Sequence, residues 1–261
     1  MQAYSFQEIQ GTRLWVKQLT IEETRSQSTL IFLHEGLGSI EMWKDFPEQL
    51  CESIGMNGLL YDRQGHGRSD ALSGSRKVDY LHREAWEVLP ELIRDLKIES
   101  PIFVGHSDGG TIALLYAARY AHTRAILTEA AHVKVESITL EGIRSAVRAF
   151  EQPQRRSLLA RYHLDKTDAL LHAWADIWLS DAFGSWNIED ELKKISCPTL
   201  IIQGEEDPYA SQDHLWDIAS GIGPSAQAFL APKCGHIPHH QAREVVLDKM
   251  EAFLRRLDIR D

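Results

Sequence analysis

The sequence predicts an α/β protein with a mostly parallel central sheet, helices on both of its faces and a helical insertion. Three observations lead there. Short, mainly apolar runs, Leu30-Ile31-Phe32-Leu33, Ala125-Ile126-Leu127-Thr128 and Pro198-Thr199-Leu200-Ile201-Ile202, have the character of strands covered on both faces. Amphipathic stretches of helical period alternate with them, the order from which a parallel sheet is built. One strand, Pro101-Ile102-Phe103-Val104, runs through Gly105-His106-Ser107-Asp108-Gly109-Gly110 into the apolar helix 111–118, so strand, tight turn and helix meet at one serine.

In chain order, residues 4–10 and 13–19 alternate apolar and polar side chains, which predicts an antiparallel hairpin turning at Gly11-Thr12. The strand 30–33 enters the glycine-rich loop His34-Glu35-Gly36-Leu37-Gly38-Ser39, and a helix is expected over 40–54 with Trp43, Phe46 and Leu50 on one side. The strand Gly58-Leu59-Leu60-Tyr61 leads to Asp62-Arg63-Gln64-Gly65-His66-Gly67-Arg68-Ser69-Asp70. A long helix follows over 78–97, with Leu81, Trp86, Leu89, Leu92, Ile93 and Leu96 at helical spacing; Pro90 inside it predicts a kink or break.

Residues 132–190 interrupt the alternation. They are helical in pattern, lack a clear strand and carry Phe150, Tyr162, Trp174, Trp178, Phe183 and Trp186. An insertion there would cover the carboxyl edge of the sheet as a lid, which divides the chain into a core of 1–131 with 191–261 and a lid of 132–190. The strand 198–202, the loop Gln203-Gly204-Glu205-Glu206-Asp207-Pro208 and a helix near 211–220 resume the rhythm. A strand over 226–230, the loop Lys233-Cys234-Gly235-His236 and a final helix through Val245, Met250, Phe253 and Leu254 complete it.

Composition bounds the function. The 261 residues suffice for one large core, and 43% hydrophobic with 25% charged residues is ordinary for a globular enzyme. A formal charge of −10 argues against nucleic acid or an anionic membrane surface as partner. Residues 1–23 lack a signal pattern, no apolar run is long enough to span a bilayer, and the three cysteines, Cys51, Cys197 and Cys234, form no CxxC pair. A cytoplasmic protein with free thiols, acting on a small molecule as a monomer or homodimer, is the expectation.

A serine is a poor nucleophile near neutral pH without a base beside it and a carboxylate to orient that base. The loops after the last two strands offer Asp207 and His236, giving the chain order Ser107, Asp207, His236. With the elbow Gly105-His106-Ser107-Asp108-Gly109, the segment 61–70 that is similar to a D-x-R-G-x-G-x-S motif, the acid loop Gly204-Glu205-Glu206-Asp207 and the terminal Gly235-His236-Ile237-Pro238-His239, the chain resembles an α/β-hydrolase of the lidded, single-domain type. The resemblance implies Ser107, His236 and Asp207 as catalytic residues. His34-Glu35-Gly36-Leu37-Gly38 resembles the family's oxyanion loop, with Glu35 where glycine is usual. It implies the amides of Asp108 and Gly36 as oxyanion donors, or Leu37 in place of Gly36 if Glu35 is an insertion.

Two carboxylates, Glu35 and Asp108, then adjoin the donors. They are expected to turn away or to pair with a cation; the alternative is that they recognise a positively charged substrate or act as an extra acid or base. Glu35, His132, Trp174 and Trp178 are candidates to line a substrate pocket. No cofactor is implied. A metal site at His236, His239 and His240 is disfavoured because Pro238 and the loop position of His236 break the helical spacing it would need. Cys234 is expected to pack. The reaction implied is hydrolysis of a small carboxylic ester or thioester through an acyl-enzyme. The alternatives are a carbon–carbon bond hydrolase of aromatic ring-cleavage products and a non-catalytic small-molecule-binding protein. Serine rather than aspartate at the elbow argues against dehalogenase and epoxide hydrolase chemistry.

Overall fold

The computed structural model describes residues 1–22, 24 and 26–257; the last residues of the expected core, 258–261, lie outside them. Eight strands form one sheet in the order β1-β2-β4-β3-β5-β6-β7-β8. They are β1 (Gln2–Ile9), β2 (Thr12–Leu19), β3 (Ser28–Leu33), β4 (Asn57–Tyr61), β5 (Ser100–His106), β6 (Ala125–Glu129), β7 (Thr199–Gly204) and β8 (Ala226–Ala231). β2 pairs antiparallel with β1 and β4, and every pairing from β4 through β8 is parallel.

The strands that read as continuous apolar runs are buried on both faces because their side chains alternate between two cores. Ile31, Phe103, Ile126 and Ile201 join one core. Leu30, Phe32, Ile102, Val104, Leu127, Leu200 and Ile202 join the other, against α1 (Phe46–Ile54) and the C-terminal helix Arg243–Arg256. A period of two on a double-covered sheet divides one hydrophobic run between two layers.

The sequence of crossovers positions the site. The chain leaves β3 for β4 on one side and then crosses back to β5 on the other, so the loops after β3 and β5 diverge from neighbouring strand ends, with Leu33 opposite Gly105. Such a switch point is where an open parallel sheet leaves a crevice at its carboxyl edge.

Three expected elements differ in detail. The opening hairpin turns at Gln10-Gly11 rather than Gly11-Thr12, both with positive φ (52° and 74°), the tight turn that matches strand twist. The helix expected over 40–54 is two pieces, a 3₁₀ turn at Ile40–Trp43 and α1. Lys44 at φ 55° breaks the run, and Pro47, lacking an N–H, sits in the first turn of α1, where none is needed. The helix expected over 78–97 is α2 (Tyr80–Arg83), a π turn (Glu84–Val88) and α3 (Leu89–Asp95). Pro90 cannot donate to the carbonyl of Trp86, and the hydroxyl of Tyr120 takes that carbonyl instead, at 3.1 Å.

The elbow helix is α4 (Asp108–Arg119). Between β6 and β7 lie α5 (Ser137–Phe150), α6 (Pro153–His163), α7 (Thr167–Trp178) and the short α8 (Glu189–Leu192). A bridge between Lys134 and Asn187 and a hydrogen bond from Ile188 N to Val133 O (2.8 Å) bring the two ends of this segment together at its base. Trp178, Phe183 and Trp186 pack ring against ring, with centroids 4.9 to 5.9 Å apart. α9 (Asp213–Ile222) follows β7, and α10 (Pro238–Gln241) and α11 (Arg243–Arg256) follow β8.

Candidate active site

The turn after β5 is sharp because two glycines let backbones meet. A Cβ on Gly105 would stand 2.3 Å from the carbonyl oxygen of Gly109, and one on Gly109 would stand 1.9 Å from that of Leu33. Ser107 itself takes φ 53° and ψ −116°, a conformation that costs a non-glycine residue free energy and persists only when its surroundings impose it. The constraint is visible: Ser107 N donates to Glu129 O at the end of β6 (2.8 Å), and Ser107 O accepts from Thr111 N in the first turn of α4 (3.0 Å).

The loops after β7 and β8 bring Asp207 and His236 to this serine. His236 Nε2 lies 3.1 Å from Ser107 Oγ, while His236 Nδ1 lies 2.8 and 3.0 Å from the two carboxylate oxygens of Asp207. With Nδ1–H donating to the carboxylate, Nε2 is left as acceptor for the serine hydroxyl. Asp207 also accepts from Gln203 Nε2 (2.7 Å) and from the amide of Tyr209 (2.8 Å). Burial alone would raise its carboxyl, but the hydrogen bond and charge of His236, with the Tyr209 amide, hold it below its ordinary value. Such a line can draw the proton from the hydroxyl and stabilise the resulting imidazolium.

Gly36, Asp108 and Ser107 share one cavity of about 230 Å³, with mainly apolar walls, and the other predicted pocket residues, Glu35, His132, Trp174 and Trp178, line it as well. Trp174 packs so closely on Gly36 that a Cβ there would sit 2.6 Å from the indole. His132 presents its ring edge to Trp178 and lies beside His236. Burial, with the charges of His214 and His236, pushes it down to about 3, so it is a neutral wall residue.

Each of the two carboxylates has a basic neighbour. Glu35 Oε2 is 3.6 Å from His106 Nδ1. Burial would raise the Glu35 carboxyl, but the neighbouring His106 imidazole holds it well below the usual carboxylate range. Burial would likewise lower His106, yet Glu35 and then Glu129 raise it above its ordinary value. His106 Nε2 meanwhile donates to the backbone carbonyl of His236 (2.6 Å). Asp108 Oδ2 accepts from Tyr80 Oη (3.0 Å), which in turn accepts from Trp178 Nε1 (2.9 Å), and lies 3.6 Å from Arg63 Nη1.

The remaining histidines have separate partners: His239 pairs with buried Glu129, and His240 Nε2 lies 2.9 Å from the carbonyl of Met42. Cys234 is buried, and its carbonyl accepts from the amide of Glu206. Sequence reasoning missed Tyr209, Ile143 and Met42 in the cavity wall, together with Arg63 and Tyr80 behind it. Tyr209 stands two residues beyond Asp207, and Arg63 lies inside the segment 61–70, whose motif resemblance names no role for that residue.

The match to known proteins follows this geometry. A model of the alpha/beta hydrolase family covers residues 30–249. The chain is 32% identical over 250 residues to the human serine hydrolase BPHL, covering 91% of this chain and 83% of that one. It is 26% identical over 212 residues to the bifunctional esterase/perhydrolase DCH of Acinetobacter calcoaceticus, covering 68% and 74%. The fold resembles an esterase from Exiguobacterium antarcticum with a TM-score of 0.76 at 18% identity, covering 97% of this chain and 100% of that one. The chain therefore belongs to the α/β-hydrolase family. Its relatives are serine hydrolases, esterases, haloperoxidases and peptidases, and hydrolase is the enzyme class they support for it. Among the described residues, no helix is long and apolar enough to cross a membrane.

Proposed function

We propose that the chain is a serine hydrolase that cleaves small carboxylic esters or thioesters through an acyl-enzyme at Ser107. The observation that carries this reading is the hydrogen-bonded line from Ser107 Oγ through His236 to Asp207. Ser107 Oγ attacks the substrate carbonyl as His236 takes its proton, and Asp207 steadies the imidazolium. The carbonyl oxygen, now an anion, is held by the amides of Asp108 and Gly36. Collapse of the tetrahedral intermediate expels the alcohol or thiol with the proton from His236. Water, deprotonated by His236, then releases the acid.

Residues 132–190 act as the lid in this reading, since Ile143, Trp174 and Trp178 line the cavity. The volume of about 230 Å³ favours a short acyl chain. Glu35 keeps about a fifth of its side chain exposed in an otherwise mainly apolar wall, which favours a neutral or cationic acyl part over an anionic one. Anionic ring-cleavage products fit such a wall poorly.

The test is turnover of p-nitrophenyl esters of increasing chain length by wild type and Ser107→Ala. Acetate to butyrate should be preferred, with activity lost in the variant. Equal activity in the two proteins would remove Ser107 as nucleophile, and ligand-dependent stabilisation without any turnover would support a binding protein instead.

A further inference from the structure

We propose that Arg63 is the positioning residue of the oxyanion side: a single guanidinium that sets the direction of the Gly36 amide and neutralises the carboxylate beside the Asp108 amide. The inference rests on the serine hydrolase reading of the site.

Arg63 is almost fully buried at 4% exposure, on the loop after β4. Its Nη2 donates to the carbonyls of His34 (3.1 Å) and Glu35 (2.6 Å), and its Nη1 lies 3.6 Å from Asp108 Oδ2. Its backbone N–H donates to His34 Nε2 (3.1 Å), which leaves His34 Nδ1–H to donate to the same Glu35 carbonyl (2.8 Å). The amide of Gly38 is a third donor to that carbonyl (3.0 Å). Burial first, and then the charge of Arg63, keeps His34 neutral, as this arrangement of donors requires.

The Glu35 carbonyl and the Gly36 N–H belong to one planar peptide unit, and in a trans peptide they point in opposite directions. Pinning the carbonyl with Arg63, His34 and Gly38 therefore turns the Gly36 N–H the other way. In the proposal the amide is thereby directed toward the cavity of Ser107, which Gly36 lines, while Arg63 also lines a second cavity of about 460 Å³. Fixed donors of this kind are effective because they need no reorganisation as charge develops.

The same guanidinium answers the electrostatic difficulty. Asp108 Oδ2 would lie 3.4 Å from a Cβ on Gly36, so an uncompensated carboxylate would oppose an oxyanion held between the two amides. Arg63 and Tyr80 both meet that oxygen, one with positive charge and the other with a hydrogen-bond donor. Lysine at this position would keep the charge but lose the planar fork that spans two carbonyls and a carboxylate.

Arg63→Lys and Arg63→Ala, made in the full chain, test the proposal through kcat and KM for a p-nitrophenyl ester, inhibition by an alkyl boronic acid and thermal unfolding. The boronate forms a tetrahedral adduct on serine with an oxygen in the oxyanion position. Losing the aim of one donor should lower kcat of the lysine variant about 10²-fold, with KM changed by no more than about threefold. Boronate affinity should fall in parallel with kcat/KM, as expected when only the transition state is affected. The second cavity gives access to the vacated space, so millimolar guanidinium should restore part of the activity of Arg63→Ala and none in wild type. If the alanine variant does not fold, the lysine variant decides.

A folded Arg63→Lys with unchanged kcat, with loss confined to KM, or with undiminished boronate affinity would overturn the proposal. Absence of Ser107-dependent turnover in wild type would instead remove the serine hydrolase reading, and this inference with it.

Discussion

The two sides of Ser107 are built differently. On one side, Asp207 and His236 are two side chains on the loops after β7 and β8, joined to the serine by direct hydrogen bonds. On the other, the proposed oxyanion donors are backbone amides, backed by side chains that hold the neighbouring loops: Arg63 donates to the carbonyls of His34 and Glu35, and Asp62 accepts from the amides of Ile40 and Arg68 (2.8 Å each). A Cβ at Gly67 would stand 1.9 Å from the Asp62 carboxylate, so glycine fits there. A side-chain relay is specified by the residues that form it. A backbone donor is specified by its neighbours.

The comparison can be broken first at the relay. Ser107→Ala or His236→Ala should lower kcat by about 10⁴-fold or more, since the members act as a unit. Asp207→Asn should cost about 10⁴-fold with the fold intact, because an amide that donates to Nδ1 selects the wrong imidazole tautomer; ester hydrolysis and circular dichroism read both expectations. Loss of activity with Asp207→Asn below tenfold would show that orientation of His236 comes from its backbone, which His106 already grips.

Backbone geometry is the next target. Gly109→Ala places a Cβ 1.9 Å from Leu33 O, with no flexible side chain to yield. A loss of about 3 kcal/mol or more in urea unfolding is expected. A neutral effect would mean that β3 and the elbow are free to separate.

Between the two sides lies the Glu35–His106 pair, which sharpens the comparison through pH. The raised His106 contributes stability fully below its ordinary value of 6.5 and loses it as pH rises through its higher folded value. The depressed Glu35 contributes above its ordinary value of 4.5 and loses it as pH falls toward its lower folded value. Glu35→Gln should therefore lower Tm most between those two values, and the difference from wild type should shrink as pH rises through the folded value of His106. A pH-independent difference would remove the ion pair as its cause.

The smallest effect is expected at His132. Held down to about 3, it stabilises the fold fully above 6.5 and progressively less as pH falls through that window. His132→Asn should leave the shape of the kcat/KM profile between pH 6.5 and 9 unchanged while reducing acid lability. A shifted profile would assign His132 a role in proton transfer.

What the sequence made legible follows the same division. The elbow, the acid loop and the terminal histidine are short local patterns, and their residues come together at Ser107. The strands were legible because double burial leaves an apolar run. The π turn before Pro90 was not, since the Trp86 carbonyl is satisfied by Tyr120, 34 residues away in sequence. The chain from Asp108 through Tyr80 to Trp178 links positions 28 and 98 residues apart, and Arg63 reaches the His34–Glu35 carbonyls across 28 and 29 residues. Such contacts are products of the topology. Glu35 broke the family pattern at a position where its partner, His106, is supplied by the elbow strand.

The most direct test of the central claim is the mass of the intact chain after brief reaction with p-nitrophenyl acetate and acid quench, followed by peptide mapping. One acetyl group per chain on Ser107, formed rapidly in wild type, absent in Ser107→Ala and greatly slowed in His236→Ala, is the expected result. Acetyl transfer at another residue, or at Ser107 with the same rate without His236, would contradict it.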